Sequence, residues 1–272
     1  MDREAERFFE SAPEAFGVEG QSPDAIDPDH PHWGPLAGIG VWLLSYLSPF
    51  VLLTGWLIFE QLLGLSAPLS REGLKDWITT PRAILISLFI TLAGHLLILG
   101  ICWALVTRSG RQPFLATLGW NWGGLSASGR FYLVFGVVAG IFVLRIVLRF
   151  VLPENEATPF DMMLKSSPLV KILIALMAVL TAPIAEEVVY RGVLYSGLRA
   201  KIGATASIIA VTLLFTVVHY EQYQGAWASI GGLLALSFAL TVIRAVTRSL
   251  LPCVVIHLTY NLIGAVLILQ SI

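Results

Sequence analysis

Charge is scarce in this chain: Asp, Glu, Lys and Arg make up 13% of 272 residues, whereas 56% are hydrophobic. A soluble domain carries about 25% charged and ~45–50% apolar residues, so this composition excludes an ordinary water-soluble enzyme. Cysteine is scarcer still. Cys102 and Cys253 each lie within an apolar segment, which excludes a disulfide framework or a cysteine-rich metal cluster. No basic cluster is present, so a nucleic-acid partner is not expected. The local zinc-protease signature HExxH is missing as well. The first ~33 residues lack the basic start and apolar core of a signal peptide. No internal repeat is visible.

The acids that are present are unevenly placed. Asp2, Glu4, Glu6, Glu10, Glu14, Glu19, Asp24, Asp27 and Asp29 all precede Trp33, against only Arg3 and Arg7. With its Pro and Gly content, the segment 1–33 reads as a flexible, acidic, soluble tail. His30 and His32 within it, two residues apart with no cysteine nearby, read as incidental.

Beyond the tail the chain is built of apolar runs. A spanning helix needs ~20 predominantly apolar residues. Segments at about 36–65, 83–107, 131–152, 169–199, 204–220, 226–243 and 250–269 qualify. The expected fold is therefore all-α and polytopic, with about seven to eight transmembrane helices around an intramembrane cavity. Residues 34–168 supply the N-terminal helices and loops, and 169–272 the remaining core helices. The loops on the N-terminal side hold Arg108, Arg111, Arg130, Arg199, Lys201, Arg244 and Arg248; those opposite hold Arg71, Lys75, Arg82, Lys165 and Lys171. That bias favours a cytoplasmic N-terminus. Gly136 and Gly140 form a GxxxG pair suited to close helix packing. Glu60, His95, Arg145 and Arg149 are ionisable residues explained by interface contact, snorkelling or helix–helix hydrogen bonds, with a substrate carboxylate as a second use for the arginines.

The stretch Ala182-Pro183-Ile184-Ala185-Glu186-Glu187-Val188-Val189-Tyr190-Arg191-Gly192 is different. Two carboxylates and a guanidinium lie in a run apolar enough to cross a bilayer. Each costs at least ~2.5–3.5 kcal/mol at membrane depth, which makes a functional site the default reading. Pro183 lacks an N–H and predicts a kink or break just before Glu186. Glu187 and Arg191 are i,i+4 with the acid first, the favourable order. Glu186 is rotated ~100° from Glu187, so one plausible division has Glu187 held by Arg191 and Glu186 facing a cavity. Two further histidines lie deep, His219 and His257, the latter i,i+4 from Asn261. At ~1.5 Å rise per residue, Glu186 lies roughly 20 Å in from the side bearing Arg199, His219 about 23 Å, His257 about 12 Å and Asn261 about 18 Å. One membrane slab holds all four.

A carboxylate, two imidazoles and an amide form a set suited to hydrolysis: a general base, a residue that positions water, and oxyanion donors. The same set can hold zinc, since two His and one Glu leave an open fourth position. Two other classes keep such residues mid-membrane: a non-catalytic binding scaffold and an ion- or proton-coupled transporter. Polar residues gathered in one half of the chain weigh against the transporter, and the need for all four together weighs against the scaffold.

Three motifs stand in order: Glu186-Glu187 with Arg191 (EExxxR), Phe215 with His219 (FxxxH), and His257 with Asn261 (HxxxN). In these the chain resembles the CPBP intramembrane proteases, also called the CAAX prenyl protease type II or ABI family, over about residues 169–269. The resemblance implies a multi-pass intramembrane endopeptidase acting on membrane-associated peptides or lipidated, possibly prenylated, proteins. Some relatives are bacteriocin self-immunity proteins, which is the scaffold alternative in family form. It further implies that Glu186 activates water with His219, that His257 and Asn261 form the oxyanion hole, and that Glu187 and Arg191 support the site. No cofactor is required on this reading, with zinc as the alternative. The implied setting is the plasma membrane of a prokaryote.

Overall fold

The structure is a computed structural model and describes residues 3–15, 26–65, 71–78, 80–153 and 157–270. The chain runs α1 (Arg3–Ala15), α2 (Pro35–Leu62), α3 (Arg71–Ile78), α4 (Pro81–Val106), α5 (Phe114–Thr117), α6 (Ala127–Val151), α7 (Pro159–Ser166), α8 (Pro168–Leu180) and α9 (Ala182–Glu187). A π-helix, Val188–Leu194, leads into α10 (Tyr195–Val218); a 3₁₀ turn, Tyr220–Tyr223, then α11 (Trp227–Thr247) and α12 (Leu251–Leu269) complete it. No strand occurs among the described residues.

Helix starts follow local chemistry. Thr80 Oγ1 accepts from the Ala83 N–H, Ser126 Oγ from Gly129 and Ser167 Oγ from Val170. Thr158 and Asp161 form a reciprocal capping box. Pro81, Pro159 and Pro168 each follow such a cap, where a missing N–H costs nothing.

Six helical stretches are long and apolar enough to cross a membrane, and one of them, Pro168–Val218, has 51 residues. At ~1.5 Å per residue that is far longer than a ~30 Å hydrocarbon core. Gly203, at φ 78° and ψ 172°, resolves the excess. It breaks α10 into 195–202 and 204–218, so the 51-residue stretch is two helices rather than one. The protein is an integral, multi-pass, all-helical membrane protein.

The segment expected to be a flexible tail is anchored wherever it is described. The Glu6 carboxylate accepts from the Ala204 and Thr205 N–H groups at 3.0 Å each, capping the half-helix that starts after Gly203. Burial raises the Glu6 pKa, but the two backbone N–H bonds, the Thr205 hydroxyl and the Arg199 charge together hold it below the usual value. Asp29 is buried: its Oδ1 accepts from Arg244 at 2.8 Å, and Arg199 and Arg248 lie 3.4 and 3.3 Å from its Oδ2. The acidity of this segment reads as disorder in isolation, whereas here it neutralises arginines at the ends of α10 and α11.

Two smaller expectations change. Gly136 and Gly140 face open space, with nothing within 4 Å of a Cβ at either, so among the described residues the GxxxG pair packs against no helix. Close approach occurs at Gly38 instead, where a Cβ would lie 3.2 Å from the Leu194 Cα; this brings α2 against the π-helix. Glu60 reaches the interface as a buried group paired with Arg82 at 2.6 Å.

Candidate active site

The 168–202 limb supplies the acids. Its helix breaks at Thr181, with Pro183 in the first turn of α9, so the interruption falls five residues before Glu186. The seven residues after Glu187 then wind as a π-helix, all of them buried. A π-helix inserts extra width into the helical ladder and is found mostly at functional sites. Here it carries Arg191 and turns its guanidinium towards α11.

Glu187 and Arg191 are wholly buried and paired at 3.0 Å. Arg191 also donates to Thr241 Oγ1 at 3.2 Å, to the Ser237 carbonyl at 3.1 Å and to Ser237 Oγ at 2.7 Å. Its guanidinium sits 4.8 Å from the Phe215 ring centroid. Glu187 Oε1 accepts a second bond, from His257 Nδ1 at 2.8 Å. The Arg191 guanidinium and Glu187 Oε1 are thereby paired across three helical segments, which makes the buried charges tolerable, while Glu187 Oε2 is left without a hydrogen-bond partner.

Glu186 is treated differently. Its side chain is 23% exposed, and its oxygens lie 3.9 Å from His219 Nε2 and 3.7 Å from His257 Nε2. These gaps exceed a direct hydrogen bond, the range in which a bridging water is expected. Each imidazole is fixed from behind. His219 Nδ1 faces the Phe215 carbonyl at 2.7 Å, and His257 Nδ1 faces Glu187. A carbonyl can only accept, so the His219 proton resides on Nδ1 and its Nε2 is left towards Glu186. Phe215 packs on both rings, with centroids 4.6 Å from His219 and 6.0 Å from His257. The phenylalanine of FxxxH is thus the wedge between the two histidines and Arg191.

Asn261 is placed apart. Its Nδ2 donates to the Ala178 carbonyl at 2.8 Å, in the last turn of α8. It meets the break, not the Glu186 carboxylate. His95 reaches the same break from α4, its Nδ1 3.1 Å from Thr181 Oγ1, within electrostatic reach of Glu186. Ser237 and Thr241 went unnoticed in the sequence. Their i,i+4 spacing in an otherwise apolar helix was the available signal.

Among the described residues, no group of three His, Cys, Asp or Glu side chains is placed to hold a metal ion. Glu186, His219 and His257 surround a space without converging on it as ligands, so no step is derived through zinc.

Searches of curated proteins and of solved structures return no match. A family profile described as type II CAAX prenyl endopeptidase, Rce1-like, matches residues 168–263, the stretch that holds all three motifs. Over that segment the chain is similar to the Rce1-like type II CAAX prenyl endopeptidases.

Proposed function

We propose that the protein is an intramembrane endopeptidase that hydrolyses peptide bonds of membrane-associated, prenylated (CAAX-type) substrates by a glutamate-activated water. The carrying observation is the unequal fate of the two adjacent acids: Glu187 is consumed by Arg191 and His257, while Glu186 faces two imidazole Nε2 atoms at 3.9 and 3.7 Å without a direct hydrogen bond to either.

In this reading a water between Glu186 and His219 gives its proton to the Glu186 carboxylate as its oxygen bonds to the scissile carbonyl carbon. The carbonyl oxygen becomes an oxyanion, for which His257 and the second N–H of the Asn261 amide supply the donors. Ala178 orients that amide by taking the first N–H. The proton on Glu186 then passes to the leaving nitrogen as the C–N bond breaks. Glu187 and Arg191 act as positioning residues.

The test is turnover of a quenched fluorogenic farnesylated peptide by protein in liposomes. Glu186→Gln is expected to lower kcat by at least 10²–10⁴-fold, the usual contribution of a positioned base. Because Glu186 makes no direct hydrogen bond to either histidine, its unfolding temperature should match wild type. Full activity of Glu186→Gln would exclude it as the base.

A further inference from the structure

Arg145, on α6, has snorkelling to the interface as its simplest explanation from sequence. The structure turns it inward. Its Nη1 donates to the Tyr260 hydroxyl at 2.9 Å and its Nη2 to Ser229 Oγ at 3.1 Å. A Cβ on Gly232 would overlap Arg145 Cγ and Cδ, so the absence of a side chain there admits the arginine stem between α6 and α11. Both hydrogen-bond partners are neutral, and among the described residues no carboxylate is paired with it. A guanidinium has five N–H donors in a planar fork matched to a carboxylate, and two bonds leave that fork unfilled. An ionised group about 9 Å inside the end of its helix calls for an anion.

Its position says which anion. Tyr260 follows His257 by three residues on α12, ~4.5 Å along the axis and on the same face. Tyr223, in the turn just after His219, lies within electrostatic reach of Arg145, Tyr260 and Glu186 together. Through Tyr260 and Tyr223 the guanidinium is therefore placed near the space that Glu186 faces, within roughly three residues of extended chain at ~3.3–3.6 Å per residue.

We propose that Arg145 binds the free C-terminal carboxylate of the peptide substrate and so fixes the cut a few residues from the chain end. The proposal rests on the peptidase reading, and its test separates the two. Binding of a dye-labelled farnesylated hexapeptide is measured by anisotropy in phosphatidylcholine nanodiscs, on full-length Glu186→Gln protein, for the free acid and for its C-terminal amide. The zwitterionic lipid leaves no anionic headgroup to compete. The acid should bind roughly 10- to 100-fold more tightly, the scale of one charge-assisted bidentate pair. Adding Arg145→Gln should weaken only the acid and abolish the difference; Arg145→Lys should retain part of it. Gly232→Ala, which displaces the stem and keeps the charge, should also weaken the acid selectively. Equal affinities with Arg145 in place, or an acid preference that survives Arg145→Gln, overturns the proposal. The acid–amide comparison needs no change at Arg145, so a misfolded variant does not rescue it. Acid-selective binding without turnover by unmutated protein leaves the anchor standing and overturns the peptidase reading.

Discussion

Replacing Arg191 by Met tests whether the buried charge pair holds the site together. The guanidinium is fully buried and donates to Glu187 Oε1, to Thr241 Oγ1, and to both the carbonyl and hydroxyl of Ser237. Methionine fills much of the volume but supplies no donor. It leaves Glu187 as a buried carboxylate whose second oxygen already has no hydrogen-bond partner. Breaking a buried pair from one side costs about 3–5 kcal/mol, mostly from the uncompensated charge that remains. Glu187→Gln alone removes the charge from the other side and leaves Arg191 with Ser237 and Thr241, so it should cost less. The double variant Glu187→Gln/Arg191→Met removes both charges and should be more stable than the sum of the single losses by at least ~1 kcal/mol, as expected for coupled neighbours. The assay is equilibrium unfolding in mild detergent of all four proteins, with peptide turnover recorded alongside. Arg191→Met within ~0.5 kcal/mol of wild type, the range of an ordinary surface change, would refute the reasoning. Strict additivity in the double variant would refute it as well.

Asp29→Ala should destabilise the fold by about 3–5 kcal/mol, because it strands the buried Arg244; thermal unfolding in detergent checks this, and an unchanged midpoint contradicts it. The Glu6 carboxylate has a lowered pKa when docked, so its contribution is present above the ordinary value of 4.5 and is lost as pH falls through the lower docked value. Hydrogen exchange at Ala204 and Thr205 should therefore accelerate on acidification below that value, and Glu6→Gln should remove the acid step. Exhaustive chelation should leave peptide turnover at its starting rate, with zinc far below stoichiometric by elemental analysis. Loss of turnover that zinc restores would defeat the water-only mechanism.

Several features were legible from residue order alone. Apolar run lengths determined a multi-pass helical protein, since a bilayer admits little else. Pro183 determined a break beside Glu186, and the ~100° rotation between adjacent helical residues dictated that Glu186 and Glu187 face different surroundings. Depth counting put Glu186, His219 and His257 at one level. What periodicity cannot express was decided by packing. The π-helix depends on contacts of α2 and α11 with its flanks, and no propensity in Val188–Leu194 announces it. Acidic residues near the N-terminus read as disorder until arginines more than 150 positions away surround Asp29. Arg145 reads as a snorkelling cation until Gly232 on another helix opens a slot for it. Sequence named the stretch holding Glu186 and Glu187 because charge in lipid is costly wherever it lies. Only the tertiary structure decided which acid is spent on holding the helices and which is left to face the cavity, because that choice belongs to Arg191, Phe215, His219 and His257, which lie on different segments of the chain.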